Sequence, residues 1–83
     1  MNAIALKFIP EKDNAPIVVA SGVGFLGDKI KEIANANNVP IIKDEFLTST
    51  LIRVPVGQEI PESLYKAVAT VFSFLYKLEN ELK

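Results

Sequence analysis

Between Ile17 and Ile42 the spacing of apolar residues changes twice, and this constrains the fold more than any other feature of the chain. Ile17-Val18-Val19-Ala20 is a short β-branched run without alternation, the pattern of a strand covered on both faces. After Ser21-Gly22 the period becomes helical. Leu26, Ile30, Ile33 and Ala34 fall at i, i+4, i+7 and i+8, with Asp28, Lys29, Lys31 and Glu32 on the other side. Asn37-Asn38 tolerates a left-handed C-cap, Pro40 forbids continuation, and Val39-Pro40-Ile41-Ile42 reads as the next strand. Strand, helix and strand in this spacing form a βαβ unit. Its crossover is right-handed in nearly all cases, so the two strands are expected to be parallel.

The flanking segments complete the expected architecture. Ala3 to Ile9 is an apolar strand stopped by Pro10 and the polar turn Glu11-Lys12-Asp13-Asn14. Asp44 caps a short helix running to about Arg53, Pro55-Val56-Gly57 is a turn, and Pro61 opens a last helix that extends to about Leu82. The fold class expected is α/β: a small, mostly parallel sheet of about three to four strands surrounded by three to four helices, with the right-handed βαβ unit and a long C-terminal helix. With 83 residues the chain makes one domain, 1–83. A chain of this size buries only about 60 to 65% of its unfolded surface, so its stability is marginal.

The last helix carries more apolar surface than one sheet face can cover. At about 100° per residue, Leu64, Val68, Val71, Leu75, Leu78 and Leu82 make one stripe, and Tyr65, Ala69, Phe72 and Tyr76 make a second beside it. The first belongs against the sheet. The second is either covered by the short helix and the N-terminal loop as ordinary core, or left open as a partner-binding surface.

The chain has no His and no Cys, which removes imidazole bases and relays, thiolate nucleophiles, disulfides and thiolate zinc sites. No Ser or Thr has an identifiable base, and Asp44-Glu45 reads as a helix cap with a first-turn acid, so no enzyme is expected. Nine basic against ten acidic residues, mixed along the chain, make no basic face for nucleic acid. No apolar run approaches the roughly 20 residues that span a bilayer. One motif points the other way. Gly22-Val23-Gly24-Phe25-Leu26-Gly27 is a full G-x-G-x-x-G after a strand and opening a helix, with Asp44 about 20 residues on, as in dinucleotide sites. Such a site needs two mononucleotide-binding halves, and this chain has room for about one. The glycines otherwise serve strand ending, helix start and close packing, and no cofactor is expected.

Taken in order, Ala3-Ile4-Ala5-Leu6-Lys7-Phe8, Ala15-Pro16-Ile17-Val18-Val19-Ala20 with Gly22, Ile30-Lys31-Glu32-Ile33-Ala34 and Asn38-Val39-Pro40-Ile41 resemble the C-terminal cytoplasmic domain of the FlhB/YscU/SpaS family of flagellar and injectisome type III export proteins. The nearest segment is Val56-Gly57-Gln58-Glu59-Ile60-Pro61, followed by Leu64-Tyr65 and Ala67-Val68-Ala69. The family's membrane domain has no counterpart here. Aligned on Ala3 to Phe8, the His of its Asn-Pro-Thr-His autocleavage motif falls at Met1, and Asn2 is followed by Ala3 rather than Pro. The family's Leu-Ala-Arg segment appears as Leu47-Thr48-Ser49.

The resemblance implies a small sheet surrounded by helices, with a surface that binds export substrates, the hook-length control protein and other export-apparatus components, at the cytoplasmic face of that apparatus. It also implies that an apolar patch recognises substrates, mapping to Ala15, Pro16, Ala69 and Phe72, the last two already on the second stripe. The function expected is a non-enzymatic, stand-alone protein-binding component of export that imitates the processed state. The competing reading is a small nucleotide- or dinucleotide-binding module using Gly22, Gly24, Gly27 and Asp44.

Overall fold

A computed structural model describes residues 1–81 of the chain. Two strands, β1 (Ala3–Lys7) and β2 (Ile17–Gly22), precede helices α1 (Phe25–Ala36) and α2 (Glu45–Leu51). A single 3-10 turn, Glu62–Leu64, then runs into the long helix α3 (Tyr65–Glu81). The three helices follow the sequence reading. Leu82 of the first stripe lies outside the described residues.

The sheet departs from that reading. It is a two-stranded antiparallel hairpin rather than a mostly parallel sheet of three to four strands, and no βαβ unit forms among the described residues. Val39-Pro40-Ile41-Ile42 is not a strand, and Val39 and Ile41 are 53% and 44% exposed. Pro40 has no N–H to give to a ladder, which leaves a four-residue run too short to pair without it. The place beside β2 is taken instead by the segment after the Pro55–Gly57 turn. Gly57 N–H donates to the Val18 carbonyl at 2.7 Å, Val18 N–H to that of Gln58 at 2.9 Å, and Ile60 N–H to that of Pro16 at 2.9 Å. This contact is antiparallel as well, with Ile17 facing Glu59. Gly57 makes the approach with φ 95°, a conformation that glycine reaches without a Cβ clash.

The two faces of the hairpin are unlike. Ile4 pairs with Ser21 and Leu6 with Val18, and Ile4 and Leu6 pack with the fully buried Val18 against the main core. Because paired residues share a face and alternate along a strand, Ala3 with Gly22 and Ala5 with Ala20 form the opposite face, small side chains that give way to the Lys7–Ile17 pair only at its end toward the β1–β2 connection. A bulge between Ala5 and Leu6 displaces Val19 out of this alternation, and Val19 is 44% exposed.

Helix α1 lies on the small face. A Cβ on Gly22 would stand 2.8 Å from the Leu26 backbone, and one on Gly27 would strike the Met1 carbonyl and come within 3.0 Å of the Gly22 oxygen. Gly27 is the buried residue of α1, whereas Leu26 and Ile33 of the expected apolar stripe are 61% and 53% exposed. Close approach through glycine thus replaces burial of large side chains. The helix ends as its sequence indicates, with Asn38 at φ 58°.

The bulky face meets α2 and α3. Ala15, Val18, Leu47, Leu51, Ile60, Leu64 and Val68 form one buried cluster, with Val71 and Phe72 packed partly against it. Helix α2 begins where Asp44 accepts a hydrogen bond from Leu47 N–H at 3.0 Å, so a carboxylate satisfies one of the free amides of the first turn. In α3 the first stripe is buried at Leu64 and Val68 and half-buried at Val71 and Leu75, while Leu78 is exposed.

Candidate functional site

The second stripe of α3 is not closed over. Tyr65, Ala69 and Tyr76 are exposed and Phe72 is half-buried. Opposite this stripe stands the connection between β1 and β2. Lys7 pairs with Ile17, so continuing the hairpin register sets Phe8 across from Pro16. The Phe8 and Phe72 rings meet with centroids 6.2 Å apart at 50°, a tilted aromatic contact joining the connection to the helix.

Between these walls lies a groove of about 350 Å³ lined by Phe8, Asn14, Ala15, Pro16, Tyr65, Ala69, Phe72 and Ser73. All four residues of the expected partner-binding patch, Ala15, Pro16, Ala69 and Phe72, therefore share one concavity, although more than fifty positions separate Pro16 from Ala69. Their roles differ. Ala15 is 2% exposed and belongs to the core as well as to the groove. Pro16 is held where its carbonyl receives Ile60 N–H. Ala69 leaves the groove shallow, and Phe72 forms its apolar wall. No Asp, Glu, Lys or Arg lines it, so binding there would rest on apolar contact, with the Tyr65 hydroxyl, the Asn14 amide and the Ser73 hydroxyl as the polar groups available.

Sequence reasoning placed Tyr65 on the second stripe but did not select Phe8, Asn14 or Ser73. The signal for Phe8 was present. Two apolar runs joined by a Pro-bearing polar turn can be read as a hairpin, and a hairpin places Phe8 beside Pro16. Assigning β2 to a parallel βαβ unit hid that neighbour.

The connection itself is a closed turn. The Ile9 carbonyl accepts from Lys12 N–H at 3.0 Å and from Asp13 N–H at 2.7 Å, and the Asp13 carboxylate accepts from Ile9 N–H at 3.0 Å. Pro10 occupies the position where its fixed φ favours such a turn.

The glycine motif is engaged elsewhere. Gly22 and Gly27 face one another's backbone across the β2–α1 contact, and the Met1 backbone lies against Gly27. Gly24 takes φ 58° before the helix, and its carbonyl accepts from Asp28 N–H at 3.1 Å. Asp44 is occupied as the α2 cap. Without a second parallel strand there is no crevice of the dinucleotide type. No group of three or more carboxylates among the described residues could hold a metal ion.

A second, wider depression of about 1230 Å³ lies between Asn38 and Pro40 and the part of α3 beyond Thr70, taking in Phe74, Leu75 and Leu78. No helix among the described residues is long and apolar enough to cross a membrane.

Comparison with known proteins gives a consistent result. Residues 2–75 match the model of the FlhB HrpN YscU SpaS family. The protein YlqH of Bacillus subtilis (strain 168) is 42% identical over 81 residues, which cover 98% of this chain and 87% of that one. The flagellar biosynthetic protein FlhB of Aquifex aeolicus (strain VF5) is 46% identical over 74 residues, covering 88% of this chain and 21% of FlhB. The chain thus spans about a fifth of the FlhB proteins it matches. Among solved structures, the cytoplasmic domain of FlhB from Shewanella putrefaciens superposes with a TM-score of 0.90 at 32% identity, over 98% of this chain and 67% of that one. The native SpaS C-terminal domain superposes at 0.91 with 20% identity, over 98% and 94%, a likeness of fold.

Proposed function

The chain belongs to the FlhB HrpN YscU SpaS family, and on that premise we propose that it is a non-enzymatic protein-binding component of flagellar or related type III export. It holds export substrates, and in the switching of substrate class the hook-length control protein, at the cytoplasmic face of the export apparatus. The observation that carries this reading is the groove between the β1–β2 connection and α3. Ala15, Pro16, Ala69 and Phe72, the residues that the family resemblance implies, line it together, and the stripe bearing Ala69 and Phe72 is left without a cover. An uncovered apolar concavity in so small a domain is the kind of surface through which proteins recognise one another.

The lining suits recognition by apolar contact, with the Tyr65 hydroxyl, the Asn14 amide and the Ser73 hydroxyl as its polar groups. The nucleotide-binding reading gains no support, because its glycines and Asp44 serve backbone contact and helix capping.

The test is capture of purified flagellar export substrates, the hook-length control protein among them, by the wild-type chain and by Ala69→Asp. The wild type should retain at least one of them and the variant none. Equal capture by both would refute the assignment of the groove.

A further inference from the structure

Resting on the docking reading above, we infer that Asp13 is a positioning residue for the groove, a clamp that holds its two loop-borne walls at a fixed separation. The lining residues contributed by the β1–β2 connection come from its two ends, Phe8 on one side and Asn14, Ala15 and Pro16 on the other; residues 9 to 13 between them line nothing. What joins these ends is the reciprocal pair between Ile9 and Asp13. Asp13 N–H donates to the Ile9 carbonyl at 2.7 Å, and Ile9 N–H donates to Asp13 Oδ2 at 3.0 Å. The side-chain bond is charge-assisted and the Asp13 residue is half-buried, so it outlasts the exchange with water that loosens an exposed turn.

The mechanical consequence follows from the order of residues. Ile9 adjoins Phe8 and Asp13 adjoins Asn14, so a turn that opens at the 9–13 pair lets the Phe8 wall move relative to Ala15 and Pro16. Ala15 is fixed in the core and Pro16 by Ile60, whereas Phe8 is held by β1 on one side, by the clamp on the other, and otherwise only by its tilted ring contact with Phe72. Losing the clamp therefore disorders the Phe8 side of the groove first. A partner that needs both walls then binds with an affinity reduced by the fraction of time they stand correctly.

The experiment compares wild type, Asp13→Ala, Asp13→Asn and Ala69→Asp by titration with purified hook-length control protein, by thermal melting and by hydrogen exchange at the Ile9 amide. Asp13→Ala should bind about tenfold more weakly, the scale of one lost charge-assisted bond, and lose protection at the Ile9 amide. Asp13→Asn keeps an oxygen acceptor at the same position without its charge and should recover both to within about threefold. Wild-type affinity in Asp13→Ala alongside lost binding in Ala69→Asp would overturn the clamp and leave the groove standing. Wild-type affinity in Ala69→Asp, or no binding by the wild type of the hook-length control protein or of any export substrate titrated beside it, would bring down the docking reading and the clamp with it. If Asp13→Ala melts as early as a core variant such as Val68→Asp, or if Asp13→Asn fails to restore binding, Asp13 is not a positioning residue.

Discussion

Val68 and Ala69 are adjacent on α3, and the same substitution at the two should have opposite outcomes. Val68 is 1% exposed, while Ala69 is exposed and faces the groove. Val68→Asp forfeits about 1.5–3 kcal/mol of side-chain burial. It also places a carboxylate among apolar side chains with no buried polar partner, at a further cost of several kcal/mol. Against a total stability of about 4–12 kcal/mol for a domain of this length, the sum removes most or all of the fold. Ala69→Asp loses no burial. Its cost is the helix propensity of Asp relative to Ala, about 0.5–0.7 kcal/mol, which lowers the melting temperature by about 2–5 °C. Any partner seated on the groove would have to desolvate that carboxylate, for a penalty of about 2 kcal/mol or a roughly 30-fold loss of affinity. Circular dichroism melts and titration with export substrates separate the two effects. Phe72→Asp should fall between them, losing half a phenylalanine of burial and the Phe8 contact, about 2–3 kcal/mol together, and binding as well. If Ala69→Asp melts with Val68→Asp, the second stripe is ordinary core. If it folds and binds as the wild type does, the partner surface lies elsewhere.

Gly22→Ala and Gly27→Ala should each destabilise by about 1–3 kcal/mol in urea titrations, because the new Cβ meets backbone in both places. Gly24→Ala meets no atom but must hold φ 58° and ψ −124°, outside the left-handed helical region, for about 1–3 kcal/mol, and calorimetric titration of wild type or variants with NAD or ATP should give no saturable heat. Asp44→Ala removes the α2 cap and should cost about 1 kcal/mol, read as a fall of roughly 4–8 °C in melting temperature. The chain contains no Asn-Pro bond, so intact-mass spectrometry after prolonged incubation at mildly alkaline pH should show a single uncut species.

The parts of this fold that could be read from the sequence are those settled within a few residues. The 3.6-residue period located α1, Asn37-Asn38 its end, Asp44 the cap of α2, and Pro61 the approach to α3. Pairing between strands is decided at a distance, and there the reading failed. Val39-Pro40-Ile41-Ile42 has the composition of a strand, yet Pro40 withholds a donor, while Gln58–Ile60, which looks like the tail of a turn, reaches β2. The exposure of Leu26 and Ile33 was hidden for a related reason. Periodicity identifies an apolar stripe but cannot show that Gly27, with no side chain, is the point of contact. In the groove, Ala69 and Phe72 were visible from helical arithmetic and Ala15 and Pro16 only through family resemblance. Phe8 required the hairpin.

The contrast between the two faces of the β1–β2 hairpin determines how the sequence can drift. On the face holding Ile4, Leu6 and Val18 the penalty falls on truncation, since each lost methylene opens a void. On the face holding Ala3, Ala5, Ala20 and Gly22 the penalty falls on growth wherever α1 rests against the sheet, as at Gly22, where an added methyl meets the Leu26 backbone. A library of random variants should therefore show two mirror-image tolerance profiles on one ribbon of eleven strand residues. Serine or glycine would survive where leucine is fatal on one side, and isoleucine or methionine would survive where alanine is fatal on the other.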